Sequence, residues 1–180
     1  MAGFSFTSAE IAEVQMQMGK SLRFNPLTTD EINSTTIRVA ACDYVIEEIT
    51  KGITEDTLAA EVSAGRLTQA EADAFGKARD ETELDVTNFI NMALRIPQVG
   101  QFRRAIIYRA AGIGVGVSTQ LVRETGDVVV QQWEERKWKE IQSNLFGFCD
   151  DEIRRLRDAF PEDLFRVRQA TFTLFAITGG

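Results

Sequence analysis

The chain has no histidine. That absence excludes serine–histidine–acid triads, histidine metal sites and imidazole proton transfer. Cysteine is nearly missing as well: Cys42 and Cys149 stand far apart, with no CxxC pair. Neither a zinc site nor a disulfide framework is expected, and reduced cytosolic thiols are the default reading. Three prolines in 180 residues leave long stretches free to run as helix. No apolar run is long enough to span a bilayer. The N-terminus lacks a basic region followed by an apolar one, so no signal peptide is expected. Basic charge is also short, with 20 Lys and Arg against 27 Asp and Glu and a net charge of −7. Nucleic-acid binding needs an excess of Lys and Arg to neutralise phosphates. An acidic balance suits a surface along which DNA slides without sticking.

What is present is an ordinary globular balance, 44% hydrophobic and 26% charged. A chain of this length is expected to form one domain whose core needs no disulfide or metal. Thr7-Ser8-Ala9-Glu10 has the form of a capping box and predicts a helix to about Met18, closed by Gly19. Thr28-Thr29-Asp30-Glu31 repeats the device. Behind it Ile32, Val39, Cys42, Ile46, Ile49 and Ile53 form an apolar stripe, which predicts one long helix from about Thr29 to Lys51. Cys42 lies on that stripe and reads as a buried thiol rather than a nucleophile.

A short helix capped by Thr54 and closed by Gly65 is expected next, then a third capping box, Thr68-Gln69-Ala70-Glu71, with a helix to about Arg79. Val86, Phe89, Ile90, Ala93 and Ile96 share the face of a further helix that Pro97 stops. Phe102, Ile106, Ile113 and Val117 stripe the following one. From Leu121 to Gln131 the β-branched residues around Gly126-Asp127 signal a hairpin or extended piece. Trp133, Trp138, Ile141 and Leu145 line a helix over about 132–144, and Asp150-Asp151-Glu152 reads as the acidic start of another that ends before Pro161.

The run Ala110–Thr119, AAGIGVGVST, is the one stretch with the look of a phosphate loop. A dinucleotide loop needs G-x-G-x-x-G between a strand and a helix. Here the glycines are Gly112, Gly114 and Gly116, position 117 is Val, and the order of flanking elements is reversed. No GK[ST] follows. The remaining reading is close packing: Ala105, Gly112 and Gly116 form a small-residue face that lets another backbone approach, on a helix that frays near Ser118. Adjacent acids such as Glu47-Glu48, Glu134-Glu135 and Asp150-Asp151 point about 100° apart on a helix and read as solvated surface. Arg103-Arg104 and Arg154-Arg155 read as members of intrahelical and intersubunit ion pairs. No nucleophile has a base in view, so no enzyme, cofactor or metal is expected.

The C-terminal residues are apolar and loosely alternating. Phe165, Phe172, Leu174, Phe175 and Ile177 either fold back on the chain's own core or dock on a partner, with strand addition as the natural mode for an extended segment.

The order of these features resembles the head–tail connector, or adaptor, proteins of tailed bacteriophages. The resemblance rests on Ile37–Gly52 with Tyr44, on Ile96-Pro97 followed by the small-residue helix through Ala111, on Arg123–Val130 around Gly126-Asp127, and on Asp151–Phe160. It spans residues 28–160. It implies a homo-oligomeric ring, a dodecamer in the family's usual form, seated under the portal at the capsid vertex. Such a ring extends the DNA channel and presents a surface to the tail or its completion proteins. The implied partners are copies of the chain, the portal protein and a tail or tail-completion protein, with DNA passing through unread and no membrane involved. Phe165, Phe172, Leu174, Phe175 and Ile177 would dock on the portal, and Gly126, Asp127 and Val129 would touch a ring neighbour or the tail. The location would be the virion neck, after assembly in the host cytoplasm. A small-terminase-like DNA-packaging or regulatory protein is the alternative.

The expected architecture is therefore mainly α: a helical bundle with a small β-hairpin or extended segment and an extended C-terminal tail. A helical connector domain would cover 1–160, with a helical insertion at 53–82 and the hairpin or extended segment at 120–132. The partner-docking tail would cover 161–180.

Overall fold

The computed structural model describes residues 5–19, 27–80, 96–123 and 128–159. They fold as helices α1 (Ser8–Met18), α2 (Thr29–Ile32), a π-helical turn (Thr35–Val39), α3 (Ala40–Thr50), α4 (Glu55–Ser63), α5 (Gln69–Asp80), α6 (Ile96–Arg123) and α7 (Val128–Ala159). No strand occurs among the described residues.

Local chemistry starts several of these helices. At α1, Thr7 Oγ1 accepts from the Glu10 backbone N–H at 3.3 Å, and Glu10 Oε2 accepts from Thr7 N–H at 2.8 Å. The same reciprocal box opens α2 with Thr28 and Glu31 and α5 with Thr68 and Glu71. Each box satisfies two backbone donors that a helix start otherwise leaves unpaired. Thr54 caps α4 by accepting from Thr57 N–H at 3.3 Å. Gly65 has φ +71°, which a side chain disfavours, and turns the chain from α4 toward α5. Across that turn Glu61, buried, takes Nε and Nη2 of Arg66 at 2.7 Å each.

The single helix expected from Thr29 to Lys51 is broken. Ser34 has extended backbone, φ −66° and ψ 164°, and its hydroxyl donates to Glu31 O at 2.6 Å. Short polar side chains compete with helical bonding in this way. The chain resumes through a π-helical turn, in which Val39 N–H reaches Ser34 O. The extra residue shifts the register, so Ile37 is buried and Val39 only half-buried. From there Ala41, Val45 and Ile49, with Cys42 and Ile46, form a continuous buried face.

The second half departs further from expectation. Residues 120–132 were expected as a hairpin or extended segment. Instead 120–123 close α6 and 128–132 open α7, while 124–127 lie outside the described residues. The expected fraying near Ser118 does not occur, because α6 continues to Arg123. The two helices expected at 132–144 and from Asp151 are one helix of 32 residues, so Asp150-Asp151-Glu152 sits inside α7 rather than at a start. Packing is the cause. Trp138, Leu145, Cys149, Ile153 and Leu156 form one buried stripe that runs through the 144–151 region, and this long-range burial outweighs the local start signal there. The helix expected from Glu83 lies outside the described residues up to 95. Pro97 falls in the first turn of α6, where a missing N–H is harmless.

The α6–α7 pair is antiparallel, with Arg104 beside Glu152, Tyr108 beside Phe148, Gly112 beside Phe146 and Gly116 beside Gln142. Helices α1 and α3 pack on α6, and one apolar cluster joins Phe6 through Leu156. Leu58, Leu67 and Ala72 belong to it, so residues 53–82 contribute to the common core.

A pair of substitutions tests the α6–α7 seam. A Cβ on Gly112 would collide with Phe146 Cε1 and lie 2.7 Å from its Cδ1, whereas one on Gly147 meets nothing within 4 Å. Gly112→Ala should lower unfolding stability by about 1–3 kcal/mol through overpacking. Gly147→Ala should raise it by up to about 1 kcal/mol through helix propensity. Urea denaturation of both variants reads the opposite signs.

Candidate functional site

The small-residue face of α6 packs against α7. Ala105 is fully buried. Gly112 takes the edge of the Phe146 ring, and Gly116 takes the Gln142 amide, whose Nε2 would lie 2.7 Å from an added Cβ. Gln142 Nε2 then donates to Gly112 O at 2.9 Å. Gly114 faces the other way, toward Met18 and Leu27. The glycines therefore receive side chains on two faces of one helix, and what enters them is a ring, an amide and a thioether rather than a neighbouring backbone.

Beside that seam, α3, α6 and α7 meet in a polar cluster that the sequence did not single out. The Arg109 guanidinium carbon lies 3.5 Å from the Tyr44 ring centroid and 4.1 Å from that of Phe146. Tyr44 Oη donates to Asp150 Oδ1 at 3.0 Å. Burial, then the Asp150 bond and charge, push the Tyr44 hydroxyl up to about 12. Cys149, fully buried next to Asp150, is likewise pushed up to about 12, mainly by burial. Nearby, Tyr108 and Phe148 stack at 5.6 Å between centroids, with Phe148 51% exposed. Spacing alone hid this cluster, because Tyr44 and Asp150 are separated by 106 positions. The only sequence signal was an arginine on a face of small residues.

The arginine pairs have partners within the chain. Arg103 forks onto Glu10, with Nη2 at 2.7 Å from Oε2 and Nε on Oε1. Glu10 thus caps α1 and ties it to α6 at once. Burial acts to raise the Glu10 carboxyl, but the bonds from Arg103 and Thr7 outweigh it and hold the carboxyl below its usual value. Glu152 Oε1 takes Arg155 Nη1 at 3.2 Å and Arg104 Nε at 3.5 Å, and Arg154 meets Asp151 at 3.2 Å.

A groove of about 410 Å³ lies beside α3, lined by Asp43, Ile46, Glu47, Thr50, Lys51 and neighbouring residues. The Thr50 hydroxyl donates to Ile46 O at 2.8 Å, which engages its proton within the helix. Among the described residues no group of three or more Cys, Asp or Glu is arranged to hold a metal ion, and no helix is long and apolar enough to cross a membrane. Gly126, Asp127, Phe165, Phe172, Leu174, Phe175 and Ile177 lie outside the described residues; Val129 falls in the first turn of α7. Compared with protein-family models, curated proteins and solved structures, the chain matches none.

Two measurements follow from this geometry. Glu10 has a lowered folded value, so its contribution is complete above the ordinary carboxylate pKa and is lost as pH falls through the folded one. Glu10→Gln should cost about 2 kcal/mol at pH 7. It should also flatten the acid limb of a stability–pH profile below about pH 5. Cys42 and Cys149 are both buried, so neither should react with a disulfide reagent at pH 8 in the folded protein. Both should react at once in urea.

Proposed function

We propose that this chain is a structural virion protein: a head–tail connector that forms a ring between the portal and the tail of a tailed bacteriophage and extends the DNA channel. The observation that supports it most is where the segments carrying the resemblance lie. Tyr44, from the first, stacks on Arg109, from the second. Arg157 Nη2, from the helix over 151–160, reaches Lys51 O, back in the first, at 3.5 Å. Three separated pieces of sequence thus meet within one packed unit.

The mainly helical architecture and the excess of 27 acids over 20 bases fit the same reading. An acidic channel wall lets a polyanion slide. A ring needs a heterologous interface that closes on itself, and rigid paired helices such as α6 and α7 supply flat, repeatable faces for it. Met16, 68% exposed, and Phe148 add apolar contact at the surface. In this assembly Phe165, Phe172, Leu174, Phe175 and Ile177 dock on the portal. The α6–α7 connection at Gly126-Asp127, with Val129 just beyond it, meets a ring neighbour or the tail. The chain acts without catalysis and without a cofactor, in the virion neck.

The test is assembly. Native mass spectrometry and negative-stain microscopy of the full chain, mixed with the portal protein of the same virus, should give a closed ring bound to the portal. Removing residues 161–180 should abolish portal binding while leaving the helical circular dichroism intact. A chain that ignores the portal and binds DNA with a steep salt dependence would overturn this in favour of DNA packaging or regulation.

A further inference from the structure

Arg109 is half-buried in α6, yet it makes no hydrogen bond and no ion pair to any described residue. Its Nε is enclosed and unbonded. Nη1 and Nη2 are not among the enclosed unbonded atoms and have no acceptor among the described residues, which leaves them as the more open part of a half-buried side chain. Other arginines around the core, Arg66, Arg103, Arg104 and Arg155, each hold a carboxylate of this chain.

The guanidinium carbon lies over both the Tyr44 and the Phe146 ring, and the two contacts restrict its plane. Its orientation is therefore set before anything binds, and its charge is partly stripped of water. A desolvated donor set without acceptors is costly, and a planar fork fixed in place matches two oxygens of one anion. The surroundings select which anion. Asp150 is bonded to Tyr44 Oη, and the Glu48 charge acts on the same tyrosine. Two carboxylates at hand disfavour a dianion such as a phosphate monoester more than a singly charged carboxylate, and the DNA backbone, also singly charged, is the competitor the experiment separates. This chain's own surface is rich in carboxylates, with 27 acids against 20 bases and exposed Glu55, Asp56 and Asp73 on α4 and α5.

We infer that Arg109 receives a carboxylate side chain from a second copy of this chain, held by Nη1 and Nη2 while the two rings clamp the guanidinium. The inference rests on the ring reading, since the second copy is the neighbour in the ring.

Sedimentation equilibrium of the full chain tests it with Arg109→Lys and Arg109→Met. Lysine keeps the charge over the rings and loses the fork. It should weaken self-association at least about tenfold while leaving the melting temperature near that of the parent. Methionine should weaken association at least as much and also lower the melting temperature. Variants that associate as tightly as the parent overturn the inference alone, leaving Arg109 as an internal clamp. A parent chain that never self-associates overturns the inference and the ring together. Retention of the parent on immobilised DNA that Arg109→Lys abolishes would assign the site to phosphate and overturn it too. Phenylglyoxal labelling of the parent needs no variant to fold: Arg109 should be protected in the assembled fraction and labelled in the dissociated one, and equal labelling overturns the inference.

Discussion

The fit of Phe146 and Gln142 into the glycine face of α6 is the contact on which the rest of the molecule depends. A glycine inside a helix costs about 1 kcal/mol relative to alanine. Gly112, Gly114 and Gly116 fall within two turns of α6, so the helix is locally weak by itself. Tertiary packing offsets this. The Phe146 ring occupies the space a Cβ at Gly112 would need, Gln142 anchors on Gly112 O, and Met18 with Leu27 closes over Gly114 from the other side. The same three positions thus hold α7 on one face of α6 and the α1 region on the other. Losing either partner would expose a helix poorly suited to stand alone.

Charge placement follows from that frame. With α6 fixed, Arg103 lies over α1 and forks onto Glu10, while Arg104 lies toward α7 and meets Glu152. Two consecutive arginines therefore tie one helix to two different neighbours. Desolvating an ion costs several kcal/mol unless it is well paired. The bidentate Arg103–Glu10 and Arg66–Glu61 pairs meet that condition, since the buried Glu61 accepts two bonds of 2.7 Å. Arg109 follows another rule: aromatic faces take the place of the carboxylate.

Much of the first half of the fold is legible in the sequence because its signals are local. Thr7 with Glu10, Thr28 with Glu31 and Thr68 with Glu71 each solve a problem confined to four residues, and the structure places helix starts at all three. Non-local effects were not legible. The break at Asn33-Ser34 depends on a register shift that only pays off in burial several residues later, at Ile37. The β-branched Val128-Val129-Val130 lie in helix, and Gly147 with Asp150-Asp151-Glu152 failed to divide α7, because a buried stripe from Trp138 to Leu156 runs on through them. The small-residue face of Ala105, Gly112 and Gly116 was visible as a pattern, but its occupants were not. Nor was the cluster of Tyr44, Arg109 and Asp150, whose members come from three helices.

The physical consequence for assembly lies in where rigidity is found. The α6–α7 pair is locked by glycine sockets, a buried apolar stripe and the Tyr44–Arg109–Phe146 stack, so its relative helix positions have little freedom. In the proposed ring small angular errors would accumulate, and each subunit would have to present its two contact faces at one fixed angle. A subunit whose faces sat on separately moving helices would close rings of several sizes or none. In that proposal, joining both faces to one stiff antiparallel pair would remove that freedom. A chain built to grip DNA would set its stiffness behind a basic face; here Arg109 shares its surroundings with Asp150 and Glu48, which weaken its pull on a polyanion.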